Sequence, residues 1–167
     1  MAKAIFTANH ETGELTVVKT IQAPIEKVWD AYTKPELFSQ WWGPNGWQTT
    51  VKEFELKPGG TLLYGMKCVD ETQGEWFGKV SWGKMEFTLL QPPTQLKYVD
   101  YFCDENGAID ESMPATSTNL VLSEEDGATT ITSTSVYESG EALQKVLDMG
   151  MEQGFSETID RLEALLT

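Results

Sequence analysis

The sequence predicts an α+β fold in which a curved antiparallel sheet packs against one long C-terminal helix. Residues 48–134 contain consecutive strand patterns separated by short turns, and such strands pair antiparallel because parallel pairs need long crossover connections. Residues 139–166 carry apolar side chains at helical spacing. A sheet and one amphipathic helix form two layers, with the helix on the concave side. We expect a single domain over residues 1–167, with its core at about residues 14–166.

Local patterns define the elements in chain order. Residues 1–13 have little pattern and are expected to be an extended lead-in. A first strand at 15–22 is followed by two short helices, which begin at Pro24 and Pro35 because proline suits a first helical turn. The remaining strands are predicted at 48–56, 61–69, 75–90, 96–103, 116–123 and 128–137. Gly78 and Gly83 interrupt the long segment at 75–90, which leaves the facing of its side chains open.

The C-terminal helix is predicted to run unbroken from Ser139 to Leu166. Gly150 and Gly154 then lie on its apolar face, where two glycines cost a helix roughly 2 kcal/mol relative to two alanines. The space they leave has two interpretations. Either an aromatic side chain of the sheet packs closely against the helix, or the notch enlarges a cavity.

Composition excludes several classes of partner. The chain has 12 Lys and Arg residues against 26 Asp and Glu residues, a net charge of −14 that repels nucleic-acid phosphates and anionic lipids. The sequence has no apolar run long enough to span a membrane and no signal peptide, so we expect no membrane insertion and a cytoplasmic location. Cys68 and Cys103 are expected to be buried thiols, not a disulfide.

Candidates for catalysis or metal binding are few. His10, the sole histidine, lies in the lead-in, so neither a histidine-based triad nor a zinc site is expected. Gly59 and Gly60 connect two strands, which does not match a phosphate-binding loop. We therefore predict no catalytic residue, metal or cofactor, which favours a binding protein over an enzyme and leaves the enzyme open as an alternative.

Asp100 is the most informative carboxylate. Strand alternation places it on the same face as Tyr98 and Phe102. If that face lines a cavity, desolvation raises the pKa of Asp100 and makes it an acid or a polar anchor; if not, it is solvated. Hydroxyl residues on strands 116–123 and 128–137 could likewise bind a polar ligand group if they face inward.

Two further patterns concern the surface and the mouth of the fold. Three tryptophans lie around the turn residues at 41–47, where they either plug the end of the core or line the entrance to a ligand site. Arg161 follows Glu157 by four residues, which predicts an ion pair on the helix surface.

Seven short motifs in a fixed order carry a family resemblance. They are Ala23-Pro24-x-x-x-Val28-Trp29, Trp41-Trp42-Gly43-Pro44, Pro58-Gly59-Gly60, Pro92-Pro93-x-x-Leu96, Phe102-x-Asp104-Glu105-x-Gly107, Glu125-Asp126-Gly127-x-Thr129-Thr130 and Gly150-Met151-x-Gln153-Gly154-Phe155. Together they span nearly the whole chain. The sequence resembles the SRPBCC, or START-like, superfamily, in the branch similar to the C-terminal domain of the Hsp90 ATPase activator and to the calicheamicin self-resistance protein.

The resemblance implies a helix-grip fold, in which a seven-stranded antiparallel sheet wraps around the C-terminal helix and encloses a hydrophobic cavity. It implies binding of an apolar small molecule there. The predicted lining is Trp42, Trp47, Tyr64, Met66, Trp82, Phe87, Asp100, Phe102, Met151, Gly154 and Phe155. Relatives often carry Trp at the position of Phe155, so the shape of the cavity is expected to differ.

Two alternatives stay open. The first is a protein-interaction module that acts like the chaperone activator. That family's full proteins have an additional N-terminal chaperone-binding domain, for which this chain has no residues left, so we expect no chaperone binding. The second is an enzyme similar to the cyclases of the superfamily. A homodimer is also left open.

Overall fold

The computed structural model describes residues 3–167 and confirms the α+β fold. The strands are β1 (Ile5–Asn9), β2 (Glu14–Ile21), β3 (Trp47–Phe54), β4 (Thr61–Cys68), β5 (Val80–Gln91), β6 (Gln95–Cys103), β7 (Thr116–Glu125) and β8 (Ala128–Val136). The helices are α1 (Ile25–Thr33), α2 (Pro35–Trp41), α3 (Gly140–Asp148) and α4 (Met151–Leu166), with a short 3₁₀ helix at Glu71–Trp76. Within the described part of the chain, no helix is long and apolar enough to cross a membrane.

The strands form one antiparallel sheet in the order β1-β2-β8-β7-β6-β5-β4-β3. Its inner face carries two adjoining apolar clusters. The larger one includes Phe38, Trp41 and Phe87 and fills the end of the sheet against α1 and α2. The smaller one, around Leu15 and Leu143, lies where β2 meets α3. The space between the sheet and the C-terminal helices lies between these clusters.

The sheet has eight strands within residues 3–167, so the prediction of seven is wrong. The additional strand is β1, in the segment expected to be an extended lead-in. It pairs antiparallel with β2, and Phe6 lies opposite Val17. The sequence signal was weak because only one side of this edge strand is covered, and Ile5 is 65% exposed. The turn that joins β1 to β2 is set by Gly13, which adopts a φ of +72°.

The predicted strand at 75–90 begins five residues late, at Val80. Residues 71–76 instead form the 3₁₀ helix. Gly78 adopts a φ of +84°, which is incompatible with an extended strand, so the strand starts only after it. Trp76 is therefore exposed outside the sheet, not on a strand face. Cys68 and Cys103 are free thiols; Cys68 is buried, as expected, whereas Cys103 is only half-buried.

The C-terminal helix is broken, so the prediction of one continuous helix is wrong. Gly150 has a left-handed backbone with φ 83° and separates α3 from α4. The residue is exposed, and a Cβ added to it would meet nothing within 4 Å. Gly150 is needed for its backbone conformation, which ends α3, and not for space on the apolar face. The apolar side chains of α3 and α4 face the sheet on nearly the same side, so their spacing in the sequence looks like that of one continuous helix.

Gly154 is within α4. Replacing it by alanine tests whether a glycine of this segment is needed for its backbone conformation or for space. A Cβ added there would meet only Pro44, at an ordinary contact distance of 3.9 Å. We expect Gly154→Ala to raise the free energy of unfolding by about 1 kcal/mol through helix propensity. Gly150→Ala, the matched control, should lower it by about 1 kcal/mol because alanine resists the left-handed region. Urea unfolding measures both changes, and a loss of stability in Gly154→Ala would contradict this assignment.

A buried ion pair joins α4 to the sheet. Lys19 lies on the inner face of β2, and its Nζ is 3.2 Å from Oε1 of Glu163. The two side chains are 2% and 6% exposed. Each desolvated charge therefore depends on the other, and the pair fixes α4 across β2.

Candidate functional site

A cavity of about 190 Å³ lies between the inner face of the sheet and the side chains of α3 and α4, and it is partly open to the surface. Its volume slightly exceeds that of the roughly 150 Å³ cavity that accommodates benzene in a protein interior. Strands β4 to β8 and β2 form the floor, and Val146, Met151 and Phe155 form the opposite wall. The cavity thus has room for a small organic molecule.

The structure places most of the predicted lining residues at this cavity. Those whose side chains lie on its inner walls are Trp42, Tyr64, Met66, Asp100, Phe102, Met151 and Phe155. Trp42 stacks on Phe38, with ring centroids 4.9 Å apart, and meets the edge of Tyr64. Phe155 packs edge-on against Phe6 of β1, at 6.3 Å. The walls are therefore largely aromatic.

Three predicted residues lie elsewhere. Phe87 is buried in the large core cluster against Phe54, because α1 and α2 fill that end of the sheet. Trp47 begins the edge strand β3, and its indole N–H donates to Gln73 outside the cavity. Gly154 faces the loop at Pro44 and does not line the cavity. The notch proposed for the two glycines is therefore absent from this site.

Trp82 borders the cavity, but its indole lies on the other face of the sheet. The ring occupies the space beside Gly65, and the Lys52 ammonium is 5.7 Å from its centroid. Strand alternation puts Gly83, not Trp82, on the inner face of β5. The prediction for this side chain is therefore corrected: Trp82 covers the outer surface.

Gly83 makes room for the most polar part of the cavity. It pairs with Tyr64 across β4 and β5, and a Cβ on Gly83 would overlap the Tyr64 phenol. The absent side chain lets the phenol lie flat across the strand. From there the Tyr64 hydroxyl reaches Asp100 on β6, at 3.1 and 3.2 Å from its two carboxyl oxygens.

Asp100 faces the cavity, so the solvated alternative is wrong. Burial is the main cause that raises its pKa to about 7, while hydrogen bonds from the Tyr64 hydroxyl and the Tyr101 backbone N–H act in the opposite direction. The residue keeps part of its surface free at the cavity wall. Near neutral pH it therefore exists as both the acid and the carboxylate.

A row of hydroxyl groups continues from Asp100 along the cavity floor. The Tyr98 phenol hydrogen-bonds with Thr118, whose Oγ1 is 3.0 Å from Oγ of Ser135. The Tyr137 phenol hydrogen-bonds with Thr116. Burial raises the pKa of Tyr98 and Tyr137, which keeps both phenols neutral. Some of the strand hydroxyl groups therefore face the cavity, which is the condition under which they were predicted to reach a polar ligand group.

The loop that carries Trp42 is held by α4. The Arg161 guanidinium donates to the backbone oxygens of Gly43, Pro44 and Trp47 at 2.7, 3.2 and 3.2 Å. Glu157 accepts from the Asn45 N–H at 3.0 Å. The predicted ion pair between Arg161 and Glu157 is wrong because both side chains bind this loop instead. They hold the loop, and with it the cavity wall at Trp42, against the helix.

Of the tryptophans at 41–47, one fills the end of the core and another lines the cavity, so each of the two predicted positions is found. Trp41 is fully buried and donates its indole N–H to the Ala31 carbonyl, so it plugs the core. Trp42 lines the cavity, and Thr49 donates to its backbone oxygen.

The predicted lining omitted several residues, among them Val17, Tyr98, Tyr137 and Val146. Alternation had placed Tyr98 on the face of Asp100, so the rule that selected Asp100 also applies to Tyr98. Tyr137 follows the last strand, and Val146 belongs to α3, so their positions depend on where these elements end. Within residues 3–167 no three His, Cys, Asp or Glu side chains are grouped to hold a metal ion. His10 is exposed and contacts Gln144.

Solved structures share this architecture. A crystal structure of protein Ms6760 from Mycobacterium smegmatis is 32% identical, with a TM-score of 0.87 over 99% of this chain and 98% of that one. A solution NMR structure of a protein from Arthrobacter aurescens is 30% identical, with a TM-score of 0.88 over 97% and 90%. CalU16 from Micromonospora echinospora shares the fold, at 18% identity and a TM-score of 0.61 over 99% and 85%.

The family assignment comes from the sequence as well. No curated protein matches the chain. Residues 22–167 match the family described as "Activator of Hsp90 ATPase homolog 1-like protein". This match and the similarity to Ms6760 confirm the resemblance drawn from the motifs, and the chain belongs to the activator of Hsp90 ATPase homolog 1-like family of SRPBCC-type helix-grip proteins.

Proposed function

We propose that the protein binds an apolar small molecule in the cavity between the sheet and the C-terminal helices. One observation carries the proposal: a cavity of about 190 Å³ with aromatic walls, partly open to the surface, lies between the sheet and the C-terminal helices. Protein interiors rarely leave voids larger than a water molecule, because the lining atoms lose dispersion contacts. A void of this size fits a ligand pocket in which apolar walls supply affinity and a few polar groups set orientation.

Two contacts hold the walls of this cavity in position. Gly83 holds the space for Tyr64, and Arg161 holds the loop of Trp42. Neither contact fills the cavity; each positions one of its walls. Such support is what a preorganised binding site requires, since a ligand then binds without ordering the walls itself.

Filling the cavity tests the proposal. Val146 is buried and lines the void, so Val146→Phe places a ring in the space proposed for the ligand. Val121 is 38% exposed on β7, and Val121→Phe is the matched control. The probe is 2-naphthol, a neutral two-ring compound, titrated by calorimetry. We expect saturable binding to one site, weakened at least tenfold by Val146→Phe, which corresponds to about 1.4 kcal/mol, and unchanged by Val121→Phe.

Thermal unfolding accompanies the titration. Because the added ring enters existing space, Val146→Phe should change the free energy of unfolding by less than about 1.5 kcal/mol. Unaltered 2-naphthol binding in a folded Val146→Phe protein, or no saturable binding in the parent, would reject this site.

A further inference from the structure

Asp100 has hydrogen-bonding capacity that the protein does not use. An ionised carboxylate offers about four acceptor sites. The Tyr64 hydroxyl is shared between both oxygens, and the Tyr101 backbone N–H supplies a second donor. Within the described residues, no Lys, Arg or His side chain forms an ion pair with Asp100. The remaining acceptor sites lie at the cavity wall, where a ligand can reach them.

Aromatic rings surround this carboxyl group. Trp42, Tyr64, Tyr98 and Phe102 line the same cavity. The face of an aromatic ring carries negative potential and attracts a cation within about 6 Å of its centroid. A carboxylate with free acceptor sites in a cavity lined by aromatic rings suits the binding of an organic ammonium group.

We infer that the cavity is selective for an apolar amine, whose ammonium group pairs with Asp100 while its apolar body lies against Val146, Met151 and Phe155. This inference rests on the proposed function and specifies its ligand class. A carboxylate ligand is disfavoured because it would repel Asp100. A neutral alcohol can still donate a hydrogen bond there, but it brings no charge to a buried carboxylate. The net charge of −14 also attracts cations towards the protein.

The groups that face Asp100 leave it as the one titrating group near neutral pH. From β4 and β6 these are the Tyr64 and Tyr98 phenols, and Tyr137, which follows β8, supplies a third phenol. The Cys103 thiol is on the opposite face of β6 and is influenced by Asp100 only through its charge. Burial raises the pKa of each of them. The helices contribute apolar side chains to the cavity wall. The pH dependence of amine binding should therefore follow the charge on Asp100.

Three probes of similar shape separate the ligand classes: 2-phenylethylamine, 2-phenylethanol and phenylacetate. Each is titrated by calorimetry at pH 8.5 and 5.5. At pH 8.5 we expect the amine to bind at least tenfold more tightly than the alcohol, and phenylacetate to bind most weakly. Amine affinity should fall by about tenfold for each pH unit below 7, as Asp100 becomes protonated, while alcohol affinity stays nearly constant.

Two isosteric variants assign the effect to one carboxylate. Asp100→Asn should weaken amine binding at least tenfold at pH 8.5 and leave 2-phenylethanol within about threefold. Glu53→Gln, which removes an exposed charge from β3, should leave both probes unchanged. Thermal unfolding confirms that each variant is folded.

The outcomes are distinct. Equal binding of the amine and the alcohol, or amine binding that Asp100→Asn does not weaken, overturns the selectivity for amines and leaves apolar-ligand binding in place. Failure of 2-naphthol to bind the parent protein rejects the proposed function, and the inference with it.

Discussion

Lys19→Met should lower the free energy of unfolding by about 3–5 kcal/mol, the largest stability change expected from a single substitution here. The replacement leaves the Glu163 carboxylate buried, 6% exposed, without the ammonium group 3.2 Å away. Burial removes water from the carboxylate, and in the parent the nearby ammonium group offsets that desolvation cost. In the variant nothing offsets it, so the folded state is strongly destabilised. Urea unfolding at pH 7 measures the loss.

The double variant Lys19→Met/Glu163→Leu is the control. It removes both charges and keeps apolar volume, so we expect it to be close to the parent or more stable. The resulting double-mutant cycle should give a strongly favourable coupling between the two sites. If the double variant were as unstable as Lys19→Met, the loss would come from packing and not from an unpaired charge.

Asp100→Asn should stabilise the protein at pH 8 by about 1–3 kcal/mol and have no effect at pH 3.5. Burial raises the pKa of Asp100 from 3.8 to about 7 in the folded protein. Below pH 3.8 the carboxyl is mostly neutral in both states, so the raised folded pKa then costs the parent little stability. As the pH rises to 7, the unfolded chain ionises freely and the folded chain does not, so the parent loses stability. Asn has no proton to lose and avoids this penalty.

A pKa difference of one between the folded and the unfolded protein corresponds to about 1.36 kcal/mol. We expect a smaller stabilisation than the whole pKa difference would give, because the open cavity admits some water. Urea unfolding at pH 3.5 and 8 tests the prediction, with Glu53→Gln as the control that should show no such difference. A destabilised Asp100→Asn protein at pH 8 would show that the carboxylate is needed for folding. A charge retained at a cost in stability is typical of a functional site.

The fold was predictable because its signals are redundant. Each strand from β2 to β8 combines alternation with a turn at its end, and the motifs give the same element order. β1 lacked that redundancy, since it is short, lies at an edge and is covered on one side. Gly150 was ambiguous for a different reason: a glycine in an apolar helical stripe fits both a helix interior and a helix end.

The site was predictable where one rule decided the geometry. Alternation along β6 placed Asp100 with Tyr98 and Phe102, and all three line the cavity. The same rule applied to β2 places Lys19 between Val17 and Ile21 on the inner face, so a buried charge could have been inferred there. Its partner Glu163 could not, because it depends on how α4 crosses the sheet. The prediction that the Trp82 side chain lines the cavity was wrong because the bend near Gly78 left it undetermined which side chains of β5 face inward.

The break at Gly150 divides the helical wall of the cavity between two helices that are anchored by different contacts. α4 is tied down by Glu163 on Lys19 and by Arg161 on the loop of Trp42. α3 has no continuous hydrogen-bond ladder to α4 across Gly150, and it packs through Leu143 and Val146. A one-piece helix would transmit any displacement along its length. Because α3 and α4 are separate, the wall at Val146 depends on the packing of α3, whereas the wall at Met151 and Phe155 depends on the contacts of α4.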